Sequence, residues 1–314
     1  MIRYQFTEAH LIALIEADDK AKGRKQGWLS KAKKLTIELK KKPAKVITSE
    51  WSPIKGVYTK IQHGKCAFCE RVLGEHELAS VEFDVEHFRP KNAVKAWPDQ
   101  ATIEALGLPA DFPASVGAGR GYRLLAYHHL NYASSCKVCN ERLKACFFPI
   151  AGKKHIYNGV SPQVLLKTEQ PYLIYPLGDF DDDPQDMISF EGIMAVPRKE
   201  AGSHEHNRAL VTIAFFRLNA IRDDLLMLRA KTLQDVFTKL ELYEATASPK
   251  RRAEIWADIL LFADERAYDV NCIRSFLRLY GEPDKPAPAS RARAMEYLKL
   301  ARIYWRSKFG PRAP

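Results

Sequence analysis

Three stretches decide how this chain folds: Cys66-Ala-Phe-Cys69, Asp84-Val-Glu86-His87 and Cys136-Lys-Val-Cys139-Asn140. Each Cys-x-x-Cys pair sets two sulfurs about a tetrahedral edge apart on a tight turn. The thiolates of Cys66, Cys69, Cys136 and Cys139 are therefore expected to close one structural Zn2+ site. The intervening segment, 70 to 135, is far longer than the roughly 15–20 residues of a simple zinc ribbon. Something must fold between the two knuckles, and Glu86-His87 lies there. A redox role would need a βαβ frame around one pair, and the sequence displays none.

With the sulfurs assigned to zinc, a carboxylate, an imidazole and an amide are left for other chemistry. Cleaving a phosphodiester needs a cation on the non-bridging and leaving oxygens, and a base that deprotonates water. Glu86 and the side-chain oxygen of Asn140 are hard ligands suited to Mg2+ or Mn2+. His87 titrates near neutrality and can serve as the base. Val81 to Val85 alternates apolar and acidic residues and reads as a strand. Glu86 and His87 would point to opposite faces if the strand ran on ideally, so a bend or strand end is expected at Glu86. Residues 140–147 read as a helix, with Asn140 and Lys144 four apart on one face. Arg89, Lys91 and Lys144 are expected to contact nucleic-acid phosphate, the alternative being solvent.

These residues resemble the HNH endonucleases and their ββα-metal motif. The resemblance rests on Asp84-Val-Glu-His87, Asn131 and Cys136-Lys-Val-Cys-Asn140 with Lys144. It implies that Glu86 and Asn140 hold the catalytic ion, that His87 is the base, and that Asn131 buttresses the loop. Further stretches are similar to the HNH proteins of the Septu and retron-associated anti-phage systems. They are Trp51-Ser-Pro-Ile-Lys55, Val85-Glu-His-Phe-Arg-Pro-Lys91, Leu125-Ala-Tyr127, Phe147-Phe-Pro149, Leu173-Ile-Tyr-Pro176, Asp183-Pro184 and Leu218-Asn219 with Arg222. This second resemblance implies an effector nuclease acting beside an ATPase partner protein in antiviral defence.

Outward from the motifs, the 314 residues carry 49 Lys+Arg against 38 Asp+Glu, a net charge of +11. That balance favours polyanionic partners, nucleic acid first, with DNA expected ahead of RNA. Much of the excess lies in a basic arm from Lys20 to Lys45, which reads equally well as a solvated helix face or a phosphate-contacting surface. No apolar run reaches the roughly 18 residues of a membrane span, and the N-terminus lacks a secretory h-region, so a cytoplasmic protein is expected. Six cysteines in such a chain argue against a disulfide framework; Cys272 and Cys146 read as packing residues.

The expected fold class is α+β, a zinc-bound ββα, treble-clef-like core embedded in a mostly helical protein. Four regions follow: a basic helical region over 1–50, the nuclease core over 51–160 with an insertion at 92–121, an acidic Pro-rich connection over 161–202, and a helical region over 203–314. Within the last, helices are expected beyond His204, near 232–246, over 250–280 and from Ser290, with a stiff linker at 281–288. Two other functions compete: a non-catalytic zinc module binding nucleic acid or protein, and a nuclease acting on RNA or tRNA.

Overall fold

The computed structural model describes residues 1–73, 83–109, 111–113, 119–153, 161–220, 225–281 and 288–309. Helix α1 (Glu8–Ala21) starts at Thr7, whose hydroxyl accepts from the His10 amide, and buries Leu11 and Ile15 four residues apart. Gly23 takes a left-handed φ of 60° in the turn that follows. Helix α2 (Trp28–Lys41) then runs from Gly27 with Trp28, Ala32 and Leu39 inward. Asp19 locks this corner by accepting from the Trp28 amide at 2.7 Å and pairing with Arg24. Helix α3 (Lys55–Ile61) leads into the first cysteine pair.

Strand β1 (Phe83–His87) pairs antiparallel with β2 (Tyr132–Cys136), from Phe83↔Cys136 to His87↔Tyr132. The strand expected over 81–85 therefore continues through Glu86 and His87. Both keep ladder partners, so no strand end or bend falls at Glu86. Val81 and Glu82 lie outside the described residues. Between the strands the chain forms α4 (Gln100–Leu106), capped by Asp99. After β2 comes a π-helical segment, Val138–Lys144, where an α-helix over 140–147 was expected. Its wider i→i+5 winding is seen in the Ala145 amide donating to the Asn140 carbonyl at 2.7 Å.

The acidic connection carries more structure than its composition suggests. Helix α5 (Pro162–Glu169) is followed by a hairpin of β3 (Ile188–Glu191) and β4 (Met194–Pro197). Gly192 makes that turn possible with a φ of 60°. Helices α6 (His204–Phe215), α7 (Leu225–Ala245), α8 (Pro249–Leu261), α9 (Val270–Tyr280) and α10 (Pro288–Phe309) complete the fold. The single helix expected over 250–280 is two, because Asp269 adopts a left-handed φ of 46° at the start of α9. The linker residues 282–287, the expected stop at Gly310-Pro311, and Arg222 lie outside the described residues.

The fold is thus mixed α/β, mostly helical with two small sheets. One apolar core runs from Met1 and Ile2 through both strands to Leu298 and Ala301 of α10. Among the described residues no helix is long and apolar enough to cross a membrane.

Candidate functional site

The four cysteines converge as their spacing requires. The Sγ atoms of Cys66, Cys69, Cys136 and Cys139 all lie within 4.8 Å of one another, and all four residues are buried. Cys69 Sγ and Cys136 Sγ are 3.8 Å apart. A tetrahedral site with Zn–S bonds of about 2.3 Å has edges of about 3.8 Å, so this donor set fits zinc. None of the four is in a disulfide. The first knuckle closes with the Cys66 amide donating to Arg71 and the Glu70 amide to Cys66. Its Ala67 amide donates to Ser134 of β2. Gln62 clamps the same place, giving its amide N–H to the Ser134 carbonyl at 2.9 Å and accepting from the Ser134 amide at 2.7 Å. The cysteine cluster therefore ties α3, β2 and the π-helical segment into one unit.

Glu86 and His87 sit at the far end of β1, 6% and 4% exposed. Burial pushes the Glu86 carboxyl up to about 7, against the opposing pull of the Lys144 and Lys91 ammoniums. Lys144 Nζ stands 3.5 Å from Glu86 Oε1 and faces the Phe148 ring. That ammonium is fully buried and makes no good hydrogen bond among the described residues. Burial also lowers the Lys144 and Lys91 amines, with Glu86 opposing the shift in each. A buried ammonium and a half-neutral carboxylate side by side leave this corner short of an anion.

His87 is held on three sides. Its ring meets the rings of Trp51 and Tyr132 edge-on, with centroids 4.5 and 5.0 Å away. Its Nε2 lies 3.0 Å from the Ala126 carbonyl. A carbonyl oxygen only accepts, so Nε2 carries the proton and the lone pair is on Nδ1. Burial, reinforced by the Lys91 ammonium, pulls this imidazole well below its usual value, and it is neutral at pH 7. The same two ammoniums, Lys91 and Lys144, bear on both Glu86 and His87. The two side chains occupy successive positions of an unbroken strand and so leave it on opposite faces.

Asn131 is fully buried and laces the loop after β1. Its Oδ1 accepts from the Arg89 amide at 2.8 Å, and its Nδ2 donates to the Arg89 and Leu125 carbonyls. Asn140 is half-buried on the π-helical segment, between Cys139 and Lys144. Lys91 is half-buried with its ammonium 4.4 Å from the Trp51 ring centre. Lys144, fully buried, departs from the expectation of a phosphate-facing side chain, and so does Arg89. Arg89 is 1% exposed, donates through Nε to Glu169 at 3.0 Å, and packs against the Phe148 ring. A guanidinium taken out of water needs an anion, and Glu169 supplies it.

Several contributors were given no role at the site by the sequence. Trp51 joins Lys91 to His87, the Ala126 carbonyl selects the tautomer, and Glu169 anchors Arg89. A backbone carbonyl has no residue-type signature, and a lone Trp or Glu has no period. Among the described residues, the cysteines alone form a group of three or more Cys, His, Asp or Glu able to hold an ion. A second ion at Glu86 would draw its remaining ligands from the Asn140 amide, water and substrate oxygens, as Mg2+ sites commonly do.

Comparison with known proteins adds one finding. The chain is 26% identical over 240 residues to Septu protein PtuB of Bacillus mycoides (strain KBAB4), an overlap of 75% of this chain and 71% of that protein. No protein-family model matches the chain. No solved structure matches it either.

Proposed function

We propose that this chain is a metal-dependent endonuclease of the HNH kind, acting on DNA as the effector of a Septu-like anti-phage system with an ATPase partner. The observation that carries the reading is the buried pair of Glu86 and the under-satisfied Lys144 ammonium, on a strand and a helical segment pinned by four cysteines, with a neutral His87 at the next strand position. Similarity to a Septu protein supports the defence setting.

Glu86 and Asn140 are the residues that would hold a divalent ion. Such an ion, when bound, supplies charge neutralisation at the phosphate oxygens and the leaving group. The chain's own groups do the rest. His87 Nδ1 takes the proton of the attacking water while its Nε2–H stays anchored on the Ala126 carbonyl. Trp51 and Tyr132 keep the ring from turning. Lys91, half-buried, offers positive charge to the phosphate, while Lys144 is fully buried against Glu86 and acts on that carboxylate. Asn131 orders the loop that carries Arg89 to Lys91, and Arg89 positions that loop through Glu169 and does not touch phosphate.

Incubating the purified full-length chain, with its ATPase partner, on plasmid DNA and on total RNA in Mg2+ or Mn2+ tests the reading. Ion-dependent cutting of DNA is expected, with His87→Ala lowering the rate at least about a hundredfold at unchanged zinc content. Cutting that survives His87→Ala rejects the catalytic assignment, and cutting confined to RNA rejects the substrate.

A further inference from the structure

The outer face of α2 carries two parallel rows of lysines. Lys33 and Lys40 are seven residues apart, as are Lys34 and Lys41, about two helical turns in each case. The rows flank Ile37 on the side opposite the buried Trp28, Ala32 and Leu39. All four lysines are exposed, and none has an ion-pair partner among the described residues. Cations on the α7–α8 surface differ: Lys231 pairs with Asp235, Lys239 with Asp258 and Arg251 with Glu254. The one acid of α2, Glu38, is engaged by Lys45.

This face is bolted to the shell around His87. On its inner side the Trp28 ring meets Tyr132, which in turn meets His87. Trp28 Nε1 donates to the Glu50 carbonyl, one residue before Trp51. Beyond the end of α2, Arg123 donates to the Lys45 carbonyl, and the Thr48 amide donates to Tyr127, next to Ala126. Any polymer lying on the lysine rows is therefore held in register with the groups that position the imidazole.

We propose that the outer face of α2 is the seat for the phosphate backbone of duplex DNA flanking the cut, an inference that rests on the nuclease reading. Charge complementarity selects a polyanion. The helix is about 21 Å long, the axial length of about six base pairs of duplex at 3.4 Å of rise each. Its only aromatic residue, Trp28, is buried, so the face offers no platform for unstacked bases. That favours a duplex over a single strand.

The test measures binding of full-length His87→Ala protein to a fluorescent DNA duplex across a series of KCl concentrations, with and without K33Q/K34Q/K40Q/K41Q. The four changes should make the slope of log affinity against log salt shallower by about 3 to 4. They should also weaken binding at least about tenfold at 0.1 M salt. Removing four cations from α7–α8, as K231Q/K239Q/K250Q/R251Q, should leave the slope unchanged. Equal losses from both faces, no loss from α2, or tighter binding of single-stranded DNA or RNA would overturn the proposal. If wild-type protein cuts DNA through His87 while the α2 variant cuts with unchanged KM and salt dependence, this proposal fails and the nuclease reading stands. If the rows bind duplex but no condition yields cutting, the nuclease reading fails instead.

Discussion

Asn131 concentrates more of the site's order than its size suggests. Three hydrogen bonds from one buried amide hold Arg89 and Leu125, and removing them strands the Arg89 amide N–H and carbonyl in the core and leaves the Leu125 carbonyl with the His128 amide alone. Asn131→Ala should lower stability by about 3 kcal/mol in urea unfolding. It should also slow cleavage while zinc is retained. His128 provides a separate pH dependence. Its Nδ1 accepts from the Leu130 amide, and burial pulls the imidazole down to about 3. The unfolded chain therefore binds this proton first. The stabilising effect is complete above pH 6.5 and is lost as pH falls from there toward 3. His128→Asn keeps an acceptor for the Leu130 amide and removes the titration. Between pH 7 and 5 the wild type should lose about 1 kcal/mol more than the variant, after allowance for partial exposure. Equal losses would show that His128 is not the group responsible.

Among the elements, the two strands with their π-helical segment depend on sulfur. Two strands of five residues are too small a sheet to stand alone. The cysteine cluster joins them to the first knuckle and to Val138–Lys144. Elemental analysis should return about one zinc per chain. Stripping it with a chelator, or substituting Cys139→Ser, should lower Tm by roughly 10 °C or more. Protein isolated reduced and unchelated, yet free of zinc and equally stable, would contradict this. The cysteine pairs were legible at this scale, because zinc ligands demand a particular residue type. The β3–β4 hairpin was not. Its residues sit in a stretch dominated by Pro and Asp, whose local preference for turns masked eight residues of pairing. The split between α8 and α9 was hidden likewise, because a left-handed Asp269 interrupts a pattern that otherwise keeps helical spacing.

For the molecule as a whole, Lys65 makes hydrogen bonds that span 200 and 202 residues of sequence. It precedes the first zinc cysteine, is fully buried, and donates to the carbonyls of Glu265 and Ala267 between α8 and α9. Lys65→Ala should cost about 2–4 kcal/mol by removing both hydrogen bonds and leaving a cavity where the buried stem packed; Lys65→Met should recover the packing part only. If the C-terminal helices were independent of the zinc unit, both variants would unfold like the wild type. The sequence alone determined which four residues could be zinc ligands, since that role follows from thiols at short spacing. It also determined the basic arm, since charge is a property of composition. Only the tertiary structure decided that Arg89 turns inward to Glu169, that Lys144 is buried against Glu86, and that Ala126 sets the tautomer of His87. Each of these contacts joins residues that are distant in the chain or involves a backbone atom. Desolvation, which sets the charge such groups carry, exists only after the core has closed around them.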